Sequence, residues 1–299
     1  MNLPLTLATT TALLGLLAPA AAPADDWQQV GTDARSGISG LASEGPGSDS
    51  ALFVNDNKRP GQPRLSRVSY RDGALAVGRL VWNGAEPNDL EAIEAIPGEP
   101  GAYLALAGRG IVYRITVEGA TATVVDHTPL PAIAPGDDYE SLALVSRDGK
   151  LAALWADRGD GPDRPATVYA APLTFASWGQ PLFGTVTRRA YSAAEPRGAG
   201  VRHVSDLAVT GSGRILAGSA ADAGDDGPFD SAVSEIGRVA LTSGGRVRIT
   251  LAAAPTVLGT FPGRKIEAVE CLPGTTGDAL LGTDDENAGG FLRTAPYCA

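Results

Sequence analysis

Histidine and cysteine are scarce, with two of each in 299 residues. His127 and His203 stand far apart, and no cysteine lies near either of them, which argues against a zinc centre built on imidazole and thiolate. Aromatic residues are only 6% of the chain and do not alternate with basic ones, and the 34 acidic residues outnumber the 24 basic ones for a formal charge of -10. With no Lys/Arg cluster to offset it, such a surface repels nucleic acid and anionic membranes. No phosphate loop or dinucleotide fingerprint is present. Gly211-Ser212-Gly213 is too short for a nucleophile elbow and reads as a hairpin turn, which leaves a serine hydrolase unsupported.

Long apolar runs are also missing once the first 24 residues are passed. Leu3, Leu5, Leu7, Leu13, Leu14, Leu16 and Leu17 form an apolar stretch, Pro19 breaks it, and Ala22-Pro23-Ala24 offers a small-residue cleavage site before Asp25. No Lys or Arg follows Met1, but the run is too short and too interrupted for a membrane anchor. We therefore expect a signal peptide over 1–24, a secreted or periplasmic product, no transmembrane segment after processing, and a single domain over 25–299. Cys271 and Cys298 both follow the cleavage site, and in an oxidising compartment they are expected to form one bridge that ties the C-terminus to the last repeat.

What the chain has in abundance is punctuation. Its 38 Gly and 22 Pro interrupt it too often for long helices, so most of it should be strands and turns. One short phrase recurs in five places: Ile38-Ser39-Gly40-Leu41-Ala42, Leu90-Glu91-Ala92-Ile93-Glu94, Tyr139-Glu140-Ser141-Leu142-Ala143, Val204-Ser205-Asp206-Leu207-Ala208 and Ile266-Glu267-Ala268-Val269-Glu270. Its second positions lie 52, 49, 65 and 62 residues apart. A Gly-, Pro- or Ser-rich turn and a second strand follow each phrase, and third and fourth strands follow where the pattern is clear. Four antiparallel strands per unit, repeated around an axis, predict an all-β, five-bladed β-propeller. Residues near Trp27 to Val30 should close the ring as an outer strand of the last blade. Residues 175–200 carry no phrase of their own and leave room for a sixth blade.

Equivalent positions in symmetric repeats fall at equal height around the axis, so Ser39, Glu91, Glu140, Ser205 and Glu267 should converge. Three carboxylates at one point repel each other unless a cation neutralises them. Oxygen-only donors select a hard ion, and calcium suits an irregular shell better than magnesium or zinc does. The other reading pairs these glutamates with Arg109, Arg158 or Lys265, or leaves them lining a wet channel. Asp206 replaces Ser205 as ligand if its strand starts one residue out of step. The Asp-rich stretches 157–163 and 222–227 are read as solvated loops, with a peripheral calcium as the alternative.

The order Ser39, Glu91, Glu140, Ser205, Glu267 resembles the axial ligand series of the secreted calcium-activated nucleotidases, or calcium-dependent apyrases, and similar phrases occur in the esterase-like propellers found near phytases. The resemblance implies a calcium-dependent hydrolase of phosphoanhydrides or phosphate esters acting on a small phosphorylated substrate, and we expect the chain to be a monomer. Calcium would hold phosphate oxygens while basic groups offset the transferring charge. Arg109, Arg158, His203 and Lys265 are the catalytic candidates, with Arg35, Arg202 and Arg264 also near the expected mouth. The family's acidic and aromatic substrate face has no recognisable counterpart here: Asn55-Asp56-Asn57-Lys58 and Asp284-Asp285-Glu286-Asn287 read equally as turns. The alternative is a non-catalytic extracellular propeller with a structural calcium.

Overall fold

A computed structural model describes residues 26–70, 75–198 and 200–299. The signal peptide expected over 1–24 lies outside the described residues. The strands sort into five sheets, each made almost entirely of consecutive strands, as hairpin-linked blades require. A short strand β1 (Gln28–Gln29) precedes the first blade, which is β2 (Gly40–Ser43), β3 (Ser50–Val54), β4 (Leu65–Ser69) and β5 (Ala76–Arg79). The second blade has an added strand β6 (Val81–Asn83) and then β7 (Leu90–Ala95), β8 (Ala102–Ala107), β9 (Ile111–Glu118) and β10 (Thr121–Pro129). Within it, β6 runs parallel to β10 at the outer edge, a departure from a purely antiparallel blade.

The third blade is β11 (Tyr139–Arg147), β12 (Lys150–Asp157), β13 (Ala166–Phe175), β14 (Pro181–Phe183) and β15 (Thr187–Tyr191). Both β14 and β15 pair with β13, so residues 175–200 complete this blade and make no sixth one. The fourth is β16 (Val201–Val209), β17 (Arg214–Ala221), β18 (Asp230–Leu241) and β19 (Val247–Pro262). The fifth is β20 (Ile266–Cys271), β21 (Ala279–Thr283) and β22 (Phe291–Ala295), with β1 as its fourth strand through Gln28 opposite Leu292 and Gln29 opposite Phe291. The ring therefore closes as expected, and the Cys271–Cys298 disulfide, with Cα atoms 5.6 Å apart, ties the end of the chain to the same blade.

The recurring phrase opens the innermost strand of every blade. These strands touch in cyclic order: β2 with β7, β7 with β11, β11 with β16, β16 with β20, and β20 with β2. Apolar residues on both faces of the blades fill the five gaps between them, one cluster per gap. Leu104, Leu106 and Val112 meet Leu142 and Trp155 between the second and third blades. Ile38, Leu41 and Phe53 meet Ala268, Leu280 and Leu292 across the closing gap. Small residues let the inner strands approach the axis. A methyl group on Gly40 would lie 2.7 Å from the Ala92 Cα, so β2 and β7 can be this close only with glycine there.

Candidate functional site

The second residue of the phrase sits at a break in the ladder. Leu90 pairs with Ala107 and Ala92 with Leu106, which leaves Glu91 as the extra residue of a β-bulge. Glu140 is skipped in the same way between Tyr139 and Ser141, and Glu267 between Ile266 and Ala268. In the fourth blade the register shifts between Arg202 and Asp206, around Ser205. A bulge bends its strand and re-aims a side chain. Here it turns the three glutamates toward one another at the end of the channel where the inner strands begin. They are 3 to 8% exposed.

This end is crowded with charge. Arg158 donates to Glu140 at 2.9 Å and pairs with Asp138 at 3.3 Å. Arg202 pairs with Glu267 at 2.9 Å and with Asp222 at 3.0 Å. Lys265, itself 1% exposed, lies 3.1 Å from Glu267 and also contacts Glu286. Lys58 pairs with Asp89 at 3.0 Å, and Arg264 with Asp285 at 2.9 Å. Asp89 has φ of 66°, a left-handed conformation that a residue with a Cβ adopts at a cost and that is concentrated at functional sites. Among the described residues, no Lys or Arg forms an ion pair with Asp56, Glu91 or Asp284.

The protonation of these groups follows from that inventory. Burial, then the charge of Glu267, pushes Asp56 up to about 6. Burial raises Glu140 to about 7, with Glu267 adding to the shift while Arg202 and Arg158 oppose it. Glu91 is driven well above the carboxylate range by burial and by Glu140 and Asp89, and Asp284 by burial and Glu267. For Lys265 burial works in the opposite direction, but Glu267 and Asp284 outweigh it and hold the ammonium charged. The site thus contains carboxyl groups that carry a proton near neutral pH beside cations that do not lose theirs.

The expected ligands gather at this end but do not form one equivalent shell. Ser39 Oγ is buried and has no hydrogen-bond partner among the described residues. Ser205 Oγ is occupied, donating to the Ile266 carbonyl at 2.6 Å. Asp206 is buried and accepts from Val269 N–H of the next blade at 2.7 Å, so it does not replace Ser205. Two of the glutamates already have cations of the chain as partners. Among the described residues no three His, Cys, Asp or Glu side chains are gathered to hold an ion. The donors that suit a hard cation are therefore Ser39 and Glu91, with Asp56 as a further carboxylate. An unpartnered hydroxyl and unneutralised carboxyls are what such an ion requires.

Of the four catalytic candidates, Arg158 and Lys265 belong to the cluster. Arg109 is exposed in the 108–110 turn and makes no ion pair with the axial carboxylates among the described residues, although the neighbouring Gly108 lies against Glu91 and Asp138. His203 is corrected to a structural role. Its Nδ1 accepts from Ala193 N–H at 3.1 Å and its Nε2 donates to the Gly161 carbonyl at 2.8 Å, so both ring nitrogens are engaged by backbone in the wall of the blade. Arg35 is exposed and pairs with Asp33. Sequence reasoning missed Asp89 and Asp138, placed Asp56, Asp284 and Glu286 near the cleft but read them equally as turns, and took Asp222 as part of a solvated loop. The available signal was their position, since Asp56 and Asp284 each follow a second strand that ends beside the start of an inner one.

No protein-family model matches this chain, and no curated protein does. Solved structures do. An exo-1,5-alpha-L-arabinanase from a bovine ruminal metagenomic library is similar over 90% of this chain and 93% of its own, at 10% identity and a TM-score of 0.50. A GH43 endo-arabinanase from Bacillus licheniformis covers 88% and 94%, at 10% identity and a TM-score of 0.49. The GH43 protein BlXynB of the same organism is matched over 70% of this chain but only 41% of its own, at 14% identity and a TM-score of 0.39. The chain thus spans about two-fifths of the length of that last structure. Similarity at this level concerns the propeller fold.

Proposed function

We propose that the chain is an exported hydrolase that works where its inner strands begin, on a phosphoanhydride or phosphate ester bound together with calcium. The observation that carries this reading is a set of unpaired acids: among the described residues, Asp56, Glu91 and Asp284 lack ion-pair partners and the Ser39 hydroxyl lacks a hydrogen-bond partner, while Arg158, Arg202 and Lys265 are already shared among the other acids. Ser39, Glu91 and Asp56 would hold the ion, which when bound supplies neutralising charge and polarises a phosphoryl oxygen. Arg158, Arg202 and Lys265 are placed to offset negative charge that develops on a substrate. Glu140, raised to about 7, is suited to give or take a proton at neutral pH. Export fits the Cys271–Cys298 bridge, and no helix of the described residues is long and apolar enough to cross a membrane.

A second reading has its own support. Glu140 and Glu267 are neighbouring carboxyls in contrasting surroundings, the first pushed up by burial, the second held between Arg202 and Lys265. Glycosidic-bond hydrolysis uses such a pair, one carboxyl as acid and the other as base or nucleophile, and needs no metal. A neutral glycan also avoids the repulsion that this acidic mouth exerts on a polyanion. The arabinanase with a similar fold makes an arabinan-type substrate the natural probe.

The test measures calcium binding by calorimetry, then assays the same samples for phosphate release from ATP and ADP and for sugar release from an aryl α-L-arabinofuranoside, with and without chelator. Phosphate release that needs calcium and disappears in Glu91→Gln supports the first reading. Sugar release that ignores the chelator but disappears in Glu140→Gln moves the assignment to the second. Binding of calcium with no turnover of either substrate would leave a non-catalytic propeller with a structural ion.

A further inference from the structure

The other end of the channel contains a second set of carboxyl groups. Glu94 and Glu270 occupy the fifth position of the phrase in the second and fifth blades, three residues beyond Glu91 and Glu267. Both line a recess of about 570 Å³ formed where the inner strands end. Its remaining wall is largely apolar, built from Ile96, Pro97, Tyr103, Val209 and Pro273. A shallower recess of about 1200 Å³ adjoins it and shares Pro97, Val209 and Pro273.

The acids of this recess fall into two kinds. Glu44 is gripped by Arg67 through two contacts of 2.7 Å, and Glu99 by Arg114 at 2.5 Å. Glu94 and Glu270 have no such partner among the described residues. Each accepts one backbone N–H from the next blade, Glu94 from Leu144 at 3.1 Å and Glu270 from Ser43 at 2.8 Å. Those bonds fix the carboxyl positions and leave the second oxygen of each unassigned. The two lie close enough for the charge of Glu270 to act on Glu94.

We propose that this recess is a binding site for a small organic cation, an ammonium group on an apolar body. The ammonium group would lie between Glu94 and Glu270, and the body would pack against Ile96, Pro97 and Tyr103. A recess of this volume falls in the roughly 300–1,000 Å³ range of small-molecule sites, and its lining of apolar wall with a few convergent polar groups has the usual composition of one. Charge decides the ligand class: an anion would meet two carboxyls and, among the described lining residues, no cation, and a neutral ligand would leave them unmatched. A small metal ion would satisfy the carboxyls but would bury none of the apolar wall. The inference stands on this end of the channel alone and does not depend on the hydrolase reading.

The experiment titrates phenethylammonium into the full chain by calorimetry or protein-observed NMR, with 2-phenylethanol as its uncharged counterpart. Saturable binding of the ammonium compound is expected, weaker by about tenfold or more for the alcohol. Glu94→Gln and Glu270→Gln should each weaken ammonium binding by about tenfold, and both keep the carbonyl that accepts from the neighbouring blade, so the ring should remain intact. Glu91→Gln, at the opposite mouth, should leave binding unchanged. No saturable binding, equal binding of the alcohol, or a loss in Glu91→Gln without one in Glu94→Gln would overturn the proposal.

Discussion

Replacing Lys265 with methionine keeps much of the side-chain volume and removes one buried charge. The ammonium lies 3.1 Å from Glu267 and 3.6 Å from Asp222, contacts Glu286, and has a side chain only 2% exposed. Breaking a buried ion pair from one side costs about 3–5 kcal/mol, because the remaining charge is left uncompensated in a poorly solvated place. Two features moderate this cost. Arg202 still reaches Glu267 at 2.9 Å, and Glu286, 27% exposed, recovers part of its hydration. We therefore expect the low end, about 3 kcal/mol at pH 8, equivalent to a fall in melting temperature of about 5–10 °C for a domain of this size. The loss should shrink toward pH 5. There Asp56 and Glu140, raised to about 6 and about 7, are protonated, so the cluster has less negative charge to offset. Urea denaturation at the two pH values measures both quantities. A loss below about 1 kcal/mol at pH 8, the range of a solvated surface pair, would refute the reading of Lys265 as the internal counter-ion of this end. So would a larger loss that is the same at both pH values.

Three further perturbations have defined outcomes. Glu270 is raised to about 7 by burial, so the folded chain binds its proton more tightly than the unfolded chain does, and stability should fall as pH rises from about 4 through 7. Glu270→Gln removes that term while still accepting from Ser43 N–H; by denaturant titration it should match the parent at pH 4 and exceed it by about 1–3 kcal/mol at pH 8. Replacing Cys271 and Cys298 with serine opens a loop spanning a sequence separation of 27 residues, and chain entropy puts the destabilisation at about 3.5 kcal/mol; melting curves of the variant and of the reduced parent should agree. Gly40→Ala places a methyl group 2.7 Å from the Ala92 Cα, against backbone that cannot rotate away, and should cost about 1–3 kcal/mol by calorimetry, with Gly47→Ala, whose added methyl meets nothing but whose φ is 71°, as the comparison for strain without a clash.

The propeller was legible because its evidence is repetition. A phrase that recurs at blade-sized intervals identifies the inner strands and predicts five blades, with room left for a sixth only in residues 175–200, whatever any single strand's propensity. The closing strand near Trp27 and the Cys271–Cys298 bridge were legible for a related reason, since a ring of blades must join its ends. The partners of the axial glutamates were less accessible. Lys265 immediately precedes the phrase of the fifth blade and Arg202 stands two residues before that of the fourth, yet Arg202 reaches across to Glu267 in the next blade. Asp56 and Asp284 come from loops with no repeated pattern. Contacts between blades depend on the pitch and twist of the inner strands, which no short phrase encodes. His203 misled because it stands two residues before Ser205, the same face in a regular strand: the register shift between Arg202 and Asp206 breaks that alternation, and His203 bonds to Ala193 and Gly161 in the wall.

The polar positions of the phrase divide into two tasks, and the division explains why acids occur where they do. The innermost strand of a blade pairs along one edge only, so N–H groups on its free edge have no ladder partner and must find another acceptor. Three are met by a carboxyl from the preceding blade: Leu144 by Glu94, Val269 by Asp206, and Ser43 by Glu270. The direction is the same each time, from one blade to the next in chain order, and the last of the three crosses the closing gap between the fifth blade and the first. Positions three and five of the phrase thus fasten neighbouring blades, whereas the three position-two glutamates, displaced by their bulges, are released from the ladder and face the mouth. Burying a carboxyl to bind a single amide is expensive unless the group can remain protonated or can acquire a cation. Glu94 and Glu270 open onto a recess, where either outcome is available, and Asp206, 4% exposed, does not. These two fastenings, one between the second and third blades and one across the closing gap, therefore leave two carboxyls at the far mouth that have no ion-pair partner among the described residues. That makes the ammonium site a consequence of how this propeller is held together and independent of any chemistry at its other end.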